Sequence, residues 1–183
     1  MKDKSIGLIE LSSVAAGFAV ADAMLKAGAV QLLLSRSICS GKYMVLISGD
    51  AAAVQSAVQA GVEAAEGCCI DSFVIPNVHP EVLAALSRTQ IPEPVGALGI
   101  LESFNVASLI EAADAAVKSA PVQLLELRLA MALGGKAFCT MTGDVGSVEN
   151  ALAVGRQALS DAGVLVNAVL LSRPHPDVYR EMV

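Results

Sequence analysis

The chain has 183 residues, 55% of them apolar, with 12 Lys plus Arg against 18 Asp plus Glu, for a net charge of -6. The acidic balance and the lack of basic-aromatic clusters exclude a nucleic-acid footprint, which needs positive charge over phosphates. Mean hydropathy is high at +0.63, but the longest stretch without an acidic or basic residue is the twelve from Ala51 to Val62, short of the roughly 20 that a spanning helix requires.

Met-Lys-Asp-Lys opens the chain with no long apolar run behind it, so no signal segment is expected and the reading is a soluble, cytoplasmic protein. The apolar content lies in small side chains: 31 Ala and 15 Gly stand against 4 Phe, 2 Tyr and no Trp. Domains of this size bury only about 60 to 70% of their unfolded surface. The apolar excess therefore predicts burial between subunits.

In chain order, Ser5 to Leu11, Ala29 to Ser35, Tyr43 to Ser48 and Ile70 to Pro76 are short runs rich in Ile, Val and Leu, bounded by Gly, Asp or Pro, and predict strands. Helical patterns lie between them. Asp50 follows Gly49 and heads the second helix as an N-cap candidate, because its carboxylate can take up orphan N–H groups of the first turn. After Ser87 to Val95, where Pro92 and Pro94 bracket Glu93, the pattern starts again. Val106, Ile110, Ala113 and Val117 fall on one helical face, as do Val148, Leu152, Gly155 and Leu159. Ala137 to Thr142 is a strand, and Asp144 caps the helix after it.

The restart is a duplication. Residues 6–36 align with 98–128 at an offset of 92, with 13 of 31 positions identical, where chance gives roughly two or three. The offset becomes 94 at Gly41-Lys42/Gly135-Lys136 and Gly49-Asp50/Gly143-Asp144, then 96 at His79-Pro80/His175-Pro176. The expected domains are residues 1–90 and 91–183, each β-α-β-β-α-β, a split ferredoxin-like α+β unit.

Gly-Leu-Ile-Glu at 7–10, Asp-Ala-Met-Leu-Lys-Ala at 22–27, Gly-Lys at 41–42, Gly-Asp at 49–50 and Ile-Pro-x-x-His at 75–79, with their repeats, resemble the bacterial microcompartment (BMC) shell domain. The resemblance implies two tandem BMC domains and a homotrimer that forms a flat pseudohexameric tile, set among other BMC shell proteins in a microcompartment of the bacterial cytoplasm. It implies no enzyme and no lipid membrane. Arg-Ser-Ile-Cys-Ser-Gly-Lys-Tyr at 36–43 is similar to the PduT type of this family. That likeness implies a central pore lined by Ile38, Cys39 and Ser40, with Met131, Ala132 and Leu133 from the second copy. It further implies one [4Fe-4S] cluster per trimer, held by Cys39 of each subunit, with redox enzymes of the lumen as partners. Lys26 and Lys118 match the family's edge lysine, Arg173 a second edge residue, and His79 and His175 its rim histidine.

The residues alone leave alternatives open. No C-x-x-C pair exists, so a single chain lacks a recognisable cluster motif, and Cys68, Cys69 and Cys139 read as small buried hydrophobes. Gly134-Gly135-Lys136 lacks P-loop spacing and reads as a turn. Glu10 and Glu102 are explained by duplication rather than by acid-base work. A tile with a metabolite-conducting pore and no cluster competes with the cluster reading, as does a ferredoxin-like ligand-binding regulator with a cleft between its domains.

Overall fold

A computed structural model describes residues 5–87, 96–131 and 133–180, the side chains of Tyr179 and Arg180 aside. The chain forms two compact units: the described parts of Met1–Val78 with Met131–Gly135, and those of His79–Ala130 with Lys136–Val183. Apart from Ser87, the Pro-bracketed joint at 87–95 lies outside the described residues.

The first unit carries β1 (Ser5–Leu11), α1 (Val14–Ala27), β2 (Gln31–Ile38), β3 (Lys42–Gly49), α2 (Ala51–Ala64) and β4 (Cys69–Ile75). Its sheet has the order β2-β3-β1-β4, and its pairs are all antiparallel. The second unit carries α3 (Pro80–Ser87), β5 (Ala97–Ser103), α4 (Val106–Ser119), β6 (Gln123–Arg128), β7 (Ala137–Gly143), α5 (Val145–Asp161), β8 (Leu165–Leu171) and α6 (Pro176–Arg180). Its sheet order is β6-β7-β5-β8, again antiparallel throughout.

The two sheets share one register. Ser5 faces Gly49 as Ala97 faces Gly143, and irregularities fall at Glu10/Leu11 and Glu102/Ser103 alike. Such bulges re-aim side chains at fixed places in a ladder.

Every residue of the central strand β1 is buried, which is why it reads as a nearly continuous apolar run rather than an alternation. Ile9, Leu11, Val45 and Ile47 pack against Val20, Met24, Val54 and Val58 of the two helices. Burying each such side chain contributes about 1.5 to 3 kcal/mol. The close approach of sheet and helices requires glycine at two equivalent places. A Cβ on Gly7 would lie 2.5 Å from Val58 Cγ2, and one on Gly99 2.7 Å from Val148 Cγ1.

Helix starts are fixed by side chains accepting backbone N–H groups. Asp50 accepts from Ala53 and Asp144 from Ser147, as their positions after Gly predict. Ser13 accepts from Ala16, and Asn105, its counterpart in the repeat, from Ser108. The faces predicted from spacing are buried as expected, including Val106, Ile110, Ala113 and Val117.

Strand boundaries differ from the sequence expectation by one to three residues at β2, β3, β4 and β7, most at β2. β2 runs to Ile38, because Arg36, Ser37 and Ile38 continue the ladder opposite Met44, Tyr43 and Lys42. β4 takes in Cys69, which pairs with Leu11 beyond the bulge. α3 follows the first copy in sequence but packs with the second unit, against β6 and α4.

Candidate functional site

The hairpin from β2 to β3 closes in a three-residue turn, Cys39–Gly41, so the chain reverses directly after Ile38. Ser40 at φ 64° and Gly41 at φ 72° occupy the left-handed region. Gly adopts that conformation freely, whereas for Ser it costs about 1 kcal/mol. The reversal puts Cys39 and Ser40 at the hairpin tip, Cys39 half-buried and Ser40 exposed, with Ile38 buried behind them.

The segment Met131–Gly135 belongs to the same unit. The backbone N–H of Leu133 donates to Cys39 Sγ at 3.3 Å. Gly134 and Gly135 have φ of 62° and 88°, and a Cβ on Gly135 would stand 3.1 Å from Ser40 Oγ. Gly134-Gly135 thus turns the chain, as its sequence suggests, and lets it approach the Cys39 tip. Met131 is exposed and Leu133 half-buried; Ala132 lies outside the described residues.

Both hairpin loops end in a lysine that reaches a strand glutamate. Lys42 Nζ lies 2.8 Å from Glu10 Oε1, and Lys136 Nζ 2.5 Å from Glu102 Oε1. Glu10 is fully buried, and a buried carboxylate is tolerable only when paired and hydrogen-bonded. The joint recurrence of Gly-Lys and Glu in the two copies was the signal for these pairs, but reading the glutamates singly missed it.

None of the four cysteines is in a disulfide. Cys139 is buried in β7, and desolvation pushes its thiol up to about 12. Cys69 is also raised, first by burial and then by the charge of Asp71. Cys68 and Cys69 pack at the margin of the first core. Among the described residues no group of three or more His, Cys, Asp or Glu could hold a metal ion. Cys39 at the hairpin tip could supply an iron-sulfur cluster with at most one thiolate per chain. Such clusters take about four, so the donor set fits only where several copies pool their thiols. An N–H donated to the sulfur suits a thiolate ligand, since such bonds help set cluster potentials.

Lys26 is exposed and pairs with Asp22, and Lys118 pairs with Asp114, both at 2.5 Å. Asp114 is the residue that sequence reasoning missed. It is buried, and besides Lys118 at Oδ2 it accepts the backbone N–H of His79 at Oδ1, 2.8 Å away. His79 is half-buried; His175 and Arg173 are exposed.

The BMC domain family model matches residues 5–78 and 97–174. The chain is 41% identical over 180 residues to the bacterial microcompartment shell protein PduT of Citrobacter freundii, covering 98% of each. It is 36% identical over 90 residues to the shell protein PduA of the same organism, covering 48% of this chain and 97% of that one. A crystal structure of a microcompartment protein from Desulfitobacterium hafniense superposes with a TM-score of 0.88 at 50% identity, covering 96% of this chain and 98% of that one. No helix among the described residues is long and apolar enough to cross a membrane. Two matched domains in one chain, on two sheets of common register, make this protein a tandem-domain member of the BMC family, a bacterial microcompartment shell protein.

Proposed function

We propose that three copies of the chain form a pseudohexameric tile whose central pore carries a [4Fe-4S] cluster bound through Cys39 of each subunit, for electron transfer or cluster delivery across the shell. The observation that supports this is the setting of Cys39. It is the thiol at a hairpin tip, half-buried, with its sulfur already accepting the Leu133 N–H, whereas Cys139 is buried and held protonated.

In this reading the cluster supplies one-electron chemistry, and the chain's own residues prepare its site. The tight Cys39–Gly41 turn presents the thiol, the Leu133 amide orients and polarises the sulfur, and the Lys42–Glu10 pair anchors the strand behind it. Ser40 and Met131 are the exposed neighbours that set access. Lys26, Lys118 and Arg173 serve the tile edge, where other BMC shell proteins join. The protein acts as barrier and conduit rather than as an enzyme, and redox enzymes of the lumen are its further partners.

The test is iron and acid-labile sulfide per trimer in protein reconstituted without oxygen, wild type beside Cys39→Ser. About four irons and four sulfides per three chains, lost in the variant, is the expected result. Trimers that tile without iron in either protein would overturn the cluster and leave a metabolite pore.

A further inference from the structure

The internal duplication makes each copy a control for the other, and the comparison exposes two thiols that the fold itself does not require. Cys68 and Cys69 stand at the entry to β4, and the residues in the same place at the entry to β8 are Val164 and Leu165. The backbone frame is common to both. Ser12 N–H donates to Cys68 O as Phe104 N–H donates to Val164 O, each at 2.9 Å, and Leu11 pairs with Cys69 as Ser103 pairs with Leu165. Two aliphatic side chains satisfy this frame in one copy, so packing alone does not account for adjacent cysteines in the other.

Within the first unit the frame also fixes how the pair is presented. Glu66 and Gly67 have φ of 46° and 86°, so the chain leaves α2 through a left-handed turn. Cys68 N–H then donates to Ala65 O at 2.8 Å, and Ser12 Oγ adds a second bond to Cys68 O at 3.2 Å. Along a regular strand neighbouring side chains point to opposite faces. Cys68 precedes the ladder, however, and both cysteines pack against the same core cluster. The two thiols thus lie on one side of a backbone that is held at both residues. Both are half-buried, whereas Cys139 is sealed within its strand.

The pair is also held protonated at one member. Cys69 Sγ donates to Asp71 O at 3.7 Å, and burial first, then the charge of Asp71, raises its thiol. Reagents that need a thiolate meet little of it there. A trivalent arsenic centre differs, because its own oxygen accepts the thiol protons.

We infer that Cys68 and Cys69 form a chelating dithiol site for a trivalent, thiophilic metalloid, of which a monosubstituted arsenic oxide is the simplest case. Two As–S bonds form, the bond from arsenic to oxygen breaks, and both thiol protons leave on that oxygen as water. Arsenic stays trivalent and neither sulfur is oxidised, so no external oxidant or reductant enters. Soft sulfur donors favour a soft centre. Consecutive Cα atoms are about 3.8 Å apart, which lets two thiols on one side close on a single atom. The second As–S bond is intramolecular and gains the effective concentration of a chelate. The site is independent of the tile and of Cys39.

Phenylarsine oxide tests it on the full chain, reduced and kept free of oxygen, with excess glutathione present to outcompete single thiols. Intact-mass spectrometry is expected to show one phenylarsenic group per chain that survives the glutathione and is removed by dithiothreitol. Peptide mapping of the wild type should place it on the peptide that carries both cysteines. Cys68→Val and Cys69→Leu install the residues of the other copy, and each is expected to weaken retention at least about a hundredfold; far-UV circular dichroism checks that both variants fold. Loss of the wild-type adduct in glutathione, or its mapping to a peptide without Cys68 and Cys69, would overturn the site whatever the variants do. Undiminished retention in either folded variant would overturn it too, since one thiol would then suffice.

Discussion

The amide of Leu133 and the sulfur of Cys39, 94 residues apart in sequence, meet at 3.3 Å. The contact joins the loop of one sequence repeat to the hairpin tip of the other within a single compact unit. Cys39 thus sits half-buried at a hairpin tip, whereas Cys139 is buried within β7.

Thiol reactivity should follow that difference. Because the thiolate is the reactive form, Cys139, buried and pushed up to about 12, carries only about one part in ten thousand of thiolate at pH 8. Native protein treated with iodoacetamide at pH 8 and mapped by mass spectrometry should be labelled at Cys39 first and at Cys139 last. Early labelling of Cys139 would mean that β7 opens far more readily than its burial implies.

The Lys42–Glu10 pair sets a second expectation. Lys42→Met strands a fully buried carboxylate, and removing one partner of such a pair costs about 3 to 5 kcal/mol; Lys42 is partly exposed, so about 3 is the expected loss. Adding Glu10→Gln should recover much of it. Urea unfolding of the three proteins measures this, and a Lys42→Met loss under about 1 kcal/mol would class the pair with ordinary surface bridges.

At the α5 terminus, Asp144 is held below the usual carboxylate range, first by the Ser147 hydroxyl and then by the Ser147 N–H. A group whose folded pKa is depressed adds stability that is present above the unfolded value and lost as pH falls through the folded one. Ser147→Ala removes the larger cause. The Asp144 carboxyl should then titrate at higher pH by NMR, and the acid loss of this contribution should span a narrower window. An unmoved titration would assign the depression to the backbone bonds alone.

For the tile edge, Lys26→Ala should leave the trimer intact while abolishing layers in negative-stain electron microscopy. The Lys26–Asp22 pair is exposed at both partners, and such a pair contributes little to folding. Loss of the trimer itself would sink the edge role.

Much of the fold was legible in the sequence because it is built from local patterns used twice. β1 falls where its apolar run lies, and the four-three-four spacing of Val106, Ile110, Ala113 and Val117 marks a buried face. Asp50 and Asp144 cap the helices they precede. The sites were less legible, since they depend on pairs remote in sequence. Spacing alone does not bring Leu133 to Cys39, seat His79 on Asp114, or join Lys42 to Glu10 across the β1–β3 ladder.

The shared register of the two sheets carries a consequence for how such a chain can change over generations. A ring made from one repeated domain alters every loop at once when it alters any. Here the scaffold is held in common, but the hairpin tip of one copy bears a thiol and the corresponding loop of the other bears Met131. Each copy is free to specialise under its own selection, so chemistry can be introduced in one loop while its counterpart in the other copy is left unchanged.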